Sequence, residues 1–363
     1  MNKIFQNLKL PLLFFIFIKS NIFSFAQVLS PYYNVIDADK IDSFLKKEMK
    51  TLALPGLSFA LFSDNEILYY NTLGVSNIET GEAINTETLF DAASLSKTPF
   101  AFLVMKMVEK KVLDLDRPLY QYLENKDIAY DERYKLITAR MVLSHTSGFP
   151  NWRRFNKDKI LDIKFIPGTQ YLYSGEGYEY LAEVIAHLNG IHKNELQNLF
   201  EKEVAAITEM PKGYYVWNDV VAEHQAKGHI DGKLAAGWGI NANNPNFYAS
   251  YSLQSEAKSY AHFLMAIMQK KGLSTTLIDE MLKPVIIDPK NDENTSVCLG
   301  IRMKKSELGA EYFHDGYNKN FYSAYRFNLD KKIGYLFFTN CNNGAALKNS
   351  LDMFLKSTAF YAK

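Results

Sequence analysis

The chain has 363 residues, 47% apolar and 14% aromatic, with 41 Lys and Arg against 40 Asp and Glu. That apolar content excludes a disordered chain, which combines low hydrophobicity with high net charge. A formal charge of +1 supplies no basic field for neutralising phosphates, so nucleic acid is not an expected partner.

Residues 1–26 form a unit of their own. Lys3 and Lys9 precede an apolar stretch over 10–18, and Ser24, Phe25 and Ala26 make a small-x-small pattern, which predicts a secretory signal with Gln27 beginning the mature chain. The apolar run falls well short of the roughly 20 residues that span a bilayer. The alternative is an uncleaved anchor, because Lys19 interrupts the run and residues 22–25 extend it. With no Cys after the signal, no lipoprotein anchor is expected. Loss of Lys3, Lys9 and Lys19 changes the formal charge from +1 to −2. The reading is an exported protein, periplasmic or secreted, without a stable membrane span after cleavage.

Further along, Ile41, Phe44, Leu45 and Met49 share one stripe and predict a helix over 39–50, ended by Pro55-Gly56. Apolar, aromatic-rich runs at 57–63 and 66–73 flank Asp64-Asn65, a hairpin signal. Phe102, Leu103, Met105, Met107 and Val108 give helical spacing over 94–113. Residues 114–283 are mostly helical text broken by Pro and Gly, with helices expected at 138–144, 177–188, 193–204 and 255–271. Strand text returns at 297–303, 310–314, 322–328 and 333–339, and a helix over 345–360 follows.

No period of 20 to 50 residues recurs, which excludes a solenoid. Strands near both ends with helices between them imply an α/β (α+β) fold, with one antiparallel sheet built from both ends of the chain, flanked by helices and carrying a mostly helical inserted lobe. The expected organisation is a single domain over 27–363, with a sheet lobe at 38–113 and 290–361 and a helical lobe at 114–289. Clefts between such lobes are where active sites usually lie.

The two cysteines, Cys298 and Cys341, lie in strand-like text. Export would permit a disulfide, but sequence alone does not bring them within bonding distance. The seven histidines are scattered, with no HExxH, CxxC or calcium-loop spacing, so no metal is implied. His224 and His229 read as a solvated loop pair.

Ser94-Leu95-Ser96-Lys97 stands at the predicted start of a helix, and positions i and i+3 share a helix face. A serine hydroxyl needs a neighbouring base to act as a nucleophile at neutral pH. Burial beside a helix N-terminus disfavours an ammonium, so Lys97 could be that base. The motif by itself is weak and reads as an N-cap Ser with a surface Lys.

The surrounding text decides between them. Asp91-Ala92-Ala93-Ser94-Leu95-Ser96-Lys97-Thr98 resembles the active-serine segment of the serine β-lactamase and penicillin-binding-protein superfamily, particularly its class C, family VIII esterase and D-peptidase branch. The likeness continues through Leu113-Asp114-Leu115-Asp116-Arg117-Pro118, Leu143-Ser144-His145-Thr146-Ser147-Gly148-Phe149-Pro150, Pro167-Gly168-Thr169, Tyr173-Ser174-Gly175, Gly177-Tyr178 and His314-Asp315-Gly316. These segments keep the family's order over about residues 40 to 360.

The resemblance implies a β-lactamase/transpeptidase-like fold with Ser94 as nucleophile, Lys97 as its hydrogen-bond partner, and Tyr173 as second base and donor to the leaving group. It implies substrate contacts at Gly175, His314, Gly316 and Tyr317, with the backbone N–H groups of Ser94 and Tyr317 as the oxyanion hole. His145 is structural in this family. Gly175 departs from the family's Tyr-x-Asn element, whose Asn orients the lysine and binds a substrate amide carbonyl. His314-Asp315-Gly316 replaces Lys-Thr-Gly in the manner of peptidase-like and esterase-like relatives. Glu176 and Glu179 read as a solvated helix face.

The expected function is an exported serine hydrolase that cleaves a small-molecule or short-peptide ester or amide through a Ser94 acyl-enzyme, with no cofactor. One alternative is a D-Ala-D-Ala carboxypeptidase or D-amino-acid peptidase; another is a catalytically silent binding protein for peptidoglycan or a β-lactam. Oligomeric state is not legible.

Overall fold

A computed structural model describes residues 27–31, 35–289 and 293–357; the expected signal over 1–26 lies outside them. Nine antiparallel strands form the main sheet: β1 (Gly56–Ser63), β2 (Ile67–Asn77), β3 (Glu82–Ala83), β4 (Ile286–Ile287), β5 (Thr295–Val297), β6 (Arg302–Ser306), β7 (Gly309–Tyr317), β8 (Tyr322–Asn328) and β9 (Ile333–Thr339). Their spatial order is β4-β5-β6-β7-β8-β9-β1-β2-β3. The first and last thirds of the chain meet where β9 pairs with β1, Ile333 opposite Ser63 and Thr339 opposite Leu57.

Alternation along β1 builds two cores, because successive side chains point to opposite faces. Ala60 and Phe62 join a core with α2 (Lys97–Glu109) and α5 (Ala257–Met268). Leu57, Phe59 and Leu61 join the other, under α1 (Ala38–Thr51) and α7 (Gly344–Ser357). Helix α1 contributes Ile41, Leu45 and Met49 to that core, and its Phe44 stacks on Phe354 of α7 with ring centroids 4.1 Å apart. The β1–β2 turn closes on Ser63, whose Oγ accepts the N–H groups of Asn65 and Glu66, each at 3.1 Å. Between the halves of the sheet lie helices α3 (Ala139–Leu143), α4 (Glu176–Leu188) and α6 (Thr275–Leu282), with helical segments over 193–208 and 219–224 and α5 between α4 and α6.

Two local expectations are corrected. The run 297–303 is two strands, β5 and β6, broken at Gly300; its φ is +77°, and a Cβ there would lie 2.3 Å from that of Ala101 on α2. His229 is buried rather than solvated, with Nδ1 2.9 Å from the Asn340 carbonyl and Nε2 accepting the Ile78 N–H at 3.3 Å. Cys298 and Cys341 are both buried and unbridged. Among the described residues no helix is long and apolar enough to cross a membrane.

Candidate active site

Ser94 lies in a 3-10 turn, Ala93–Ser96, that runs directly into α2. Ala93, just before it, has φ +46°, a left-handed conformation that costs an L-residue about 1–3 kcal/mol and persists only when its surroundings enforce it. They do so here: the Ala93 N–H donates to Asp91 Oδ1 at 2.8 Å, and Ser96 Oγ donates to the Ala93 carbonyl at 2.6 Å while accepting the Leu253 N–H at 3.0 Å. Burial pushes the Asp91 carboxyl up to about 7, against the Ala93, Gln254 and Asn318 hydrogen bonds.

One turn on, Lys97 is 1% exposed. Its Nζ lies 3.3 Å from Ser94 Oγ and donates to the Ser250 carbonyl at 2.7 Å. Burial is the largest influence on this amine and lowers its pKa to about 7; Glu179 opposes the shift and Arg302 adds to it. The two glutamates are therefore not a solvated face. Glu179 Oε1 accepts both the N–H (3.1 Å) and the Oγ–H (2.6 Å) of Ser250 while its Oε2 pairs with Lys193 at 2.8 Å, which fixes the carbonyl that holds Lys97. Glu176 is buried and pairs with Arg153 at 2.8 Å.

The Tyr173 ring lies 4.7 Å from Lys97 Nζ. Its hydroxyl is buried and makes no hydrogen bond. Burial pushes the phenol up to about 12, while Ser94 and Arg302 oppose the rise; the serine is close enough to act on the phenol without the alignment of a bond. His145 follows α3 with φ +58° and packs against Tyr173 with ring centroids 4.3 Å apart. Its Nδ1 accepts the Ser174 N–H at 3.1 Å, and burial, with Lys97 and Arg302 nearby, holds its pKa well below the usual histidine range. It is a neutral wedge behind the tyrosine.

His314, Asp315 and Gly316 stand near the end of β7. His314 is buried, its Nδ1 is 2.9 Å from the Asp315 carbonyl, and its ring is 6.4 Å from that of Tyr173. Alternation turns Asp315 to the other face, 3.3 Å from Lys348. A Cβ on Gly316 would lie 2.3 Å from the Ala92 carbonyl and 2.5 Å from Ser323 Oγ, so only glycine lets β7 approach the Ser94 turn this closely. Asn318 Nδ2 reaches across to Asp91, tying the end of the strand to that turn.

A cleft of 460 Å³ opens over Ser94 and Lys97, walled by Asn151, Trp152, Trp238 and Tyr317. Tyr173, Gly175, His314 and Gly316 are not among the residues that line it. Gly175 leaves no room for a side chain. A Cβ there would lie 2.8 Å from the Asn151 carbonyl and 3.0 Å from the Trp152 ring. The Gly175 N–H donates to Asn151 Oδ1 at 3.0 Å.

Sequence reasoning also passed over Arg302, which bonds Asp288 at 3.0 Å and the Tyr171 hydroxyl at 2.9 Å with its guanidinium 5.6 Å from the Tyr173 ring. An arginine in the otherwise apolar run 297–303 was the available signal. Among the described residues no cluster of three or more His, Cys, Asp or Glu is arranged to hold a metal ion.

The sequence profile of the family described as Beta-lactamase matches residues 41–360. The chain belongs to the Beta-lactamase family. Esterase EstB of Burkholderia gladioli is 30% identical over 116 residues, 32% of this chain and 30% of that protein. Penicillin-binding protein 4 of Amycolatopsis lactamdurans is 29% identical over 150 residues, 38% of this chain and 39% of that one. This family member thus aligns with less than half the length of either relative. Its fold matches the octameric penicillin-binding protein homologue from Pyrococcus abyssi, with a TM-score of 0.73 at 21% identity over 85% of this chain and 74% of that one. It also matches the D-alanine carboxypeptidase AmpC from Burkholderia cenocepacia, with a TM-score of 0.70 at 18% identity over 84% and 95%.

Proposed function

We propose that this family member is an exported serine hydrolase that cleaves an ester or amide through an acyl-enzyme on Ser94. The observation carrying the proposal is the buried Lys97 amine, 3.3 Å from Ser94 Oγ and held from behind by the Ser250 carbonyl. With its pKa lowered to about 7, a large fraction of Lys97 is neutral at physiological pH and able to accept a proton. A phenol at about 12 stays protonated, which suits Tyr173 to donating rather than to the first deprotonation.

Lys97 takes the Ser94 proton as Oγ bonds to the substrate carbonyl carbon. The resulting oxyanion rests on the N–H groups of Ser94 and Tyr317. Collapse breaks the bond to the leaving group, which takes the Tyr173 proton, and Lys97 returns its proton to Tyr173. Water then attacks the acyl ester, the same groups carry its proton to Ser94 Oγ, and the acid leaves. Export rests on residues 1–26.

Simple esters suit the cleft better than cell-wall peptides, because Trp152 and the Asn151 backbone fill the place of a side chain at Gly175. A silent receptor is disfavoured by the Ser94, Lys97 and Tyr173 constellation. Intact-mass analysis after parallel incubation with a fluorophosphonate, a fluorescent penicillin and p-nitrophenyl butyrate tests the reading. Labelling and ester turnover are expected in the wild type and neither in Ser94→Ala. Turnover in Ser94→Ala within tenfold of wild type, free of contaminating esterase, refutes it.

A further inference from the structure

At the mouth of the cleft Trp238 is 43% exposed, yet its backbone is pinned on both sides. A Cβ on Gly237 would lie 2.0 Å from Asn320 Oδ1, and one on Gly239 would lie 2.0 Å from Asp91 Oδ2. Asn320 in turn donates to the Ala235 carbonyl at 2.8 Å. The indole is thus presented on a loop closed tightly against the turn that follows β7.

Two cations flank this ring. The Arg154 guanidinium lies 4.7 Å from it and also 5.4 Å from the Trp152 ring and 5.1 Å from that of Phe155. Lys319 Nζ lies 6.0 Å from the same indole, on a residue with φ +87°. The neighbouring Arg153 is committed to Asp127 and Glu176. Among the described residues neither Arg154 nor Lys319 has a carboxylate partner, and no Asp or Glu lines the cleft. A planar arginine stacked on aromatic faces keeps its in-plane N–H donors free for a bidentate anion.

We propose that the cleft selects an ester or amide carrying a planar aromatic group with a carboxylate, the ring lying on Trp238 and the carboxylate between Arg154 and Lys319. This inference rests on the hydrolase reading and specifies the part of the substrate that reading leaves open. Aromatic contact supplies affinity, and the paired cations choose the sign of the charge.

Three acetate esters of para-substituted phenols test it: 4-acetoxybenzoate, its methyl ester, and 4-acetoxyphenyltrimethylammonium, each rate divided by that ester's hydroxide-catalysed rate. The normalised kcat/KM should fall in that order, with the carboxylate about three- to tenfold above the neutral ester, as one or two charge-assisted contacts allow. In Arg154→Gln the carboxylate-to-neutral ratio should drop toward one, through KM rather than kcat. Rising salt should shrink the wild-type ratio.

Equal normalised values for the three esters, or a ratio unmoved in Arg154→Gln, overturn the inference and leave the hydrolase reading intact. If no ester is turned over and no fluorophosphonate labels Ser94, the hydrolase reading fails instead. Calorimetry of Ser94→Ala with 4-acetoxybenzoate and its methyl ester then still decides the subsite, since tighter binding of the carboxylate supports it and equal or weaker binding refutes it.

Discussion

Replacing Gly316 by alanine tests whether the approach of β7 to the Ser94 turn sets catalysis. The added methyl would lie 2.3 Å from the Ala92 carbonyl oxygen, 2.5 Å from Ser323 Oγ and 3.2 Å from Leu95 Cδ1. Carbon and oxygen in contact sit at about 3.3 Å or more, so something must move by about 1 Å. Ser323 cannot turn aside freely, because its hydroxyl donates to the same Ala92 carbonyl at 2.9 Å and its backbone pairs with Gly316. Relief must come from parting the end of β7 from the turn that carries Ser94. Overpacking of this size costs about 1–3 kcal/mol of stability, and a 1 Å misplacement at a reacting centre costs about 100-fold in rate. Calorimetric unfolding and kcat/KM on a short-chain ester should therefore show a tolerable fall in Tm and a disproportionate fall in activity. Gly81→Ala serves as control: its Cβ meets nothing within 4 Å, its φ of +70° adds strain, and it lies at the far edge of the sheet. A Gly316→Ala enzyme within threefold of wild type, or one whose loss matches its unfolded fraction, would refute the reasoning.

Ester hydrolysis should rise with pH through one ionisation near 7, that of Lys97, and Glu179→Gln should move the midpoint down, because the Glu179 charge favours the ammonium; a midpoint that stays or rises contradicts the assignment. Lys97→Met should be inactive yet more stable than wild type at pH 6. The folded pKa is depressed below the unfolded value of about 10.4, so both states hold the proton below 7 and the burial penalty is complete there; it should amount to a few kcal/mol at about 1.4 kcal/mol per unit and fade toward pH 10. Denaturant melts across that range check the sign. Gly175→Asn should lose stability by about 1–3 kcal/mol and gain no amide turnover, since its Cβ meets the Asn151 carbonyl and the Trp152 ring; a stable variant with faster nitrocefin hydrolysis would show that the loop yields.

Local signals carried well from sequence to structure. The Asp64-Asn65 turn marked the β1–β2 hairpin, and β8 and β9 occupy the expected residues 322–328 and 333–339 because polar turn residues bound two aromatic-rich runs. Ser94 and Lys97 were legible as a pair because one helical turn joins them. Contacts between distant segments were not. Gly300 breaks a strand because α2 passes beside it, which nothing in residues 297–303 reveals. Ser250 serves through its carbonyl, a group every residue carries. Glu179 looked solvent-facing until Ser250 and Lys193 arrived from elsewhere in the chain. The missing Asn at Gly175 was legible, but not that Trp152 packs where its side chain would stand.

The pairing of β9 with β1 also bears on synthesis. Ile333 leaves the ribosome about 270 residues after Ser63, a delay on the order of 15 to 50 s at ~5–20 residues per second. Throughout that interval the buried, apolar β1 has β2 on one side and an open hydrogen-bonding edge on the other. Such an edge is a template for pairing with other nascent chains. A cell making this protein must therefore keep the early hairpin unpaired or occupied until the last strand is complete, and slow translation of the central segment should lower the yield of soluble protein without changing the finished fold.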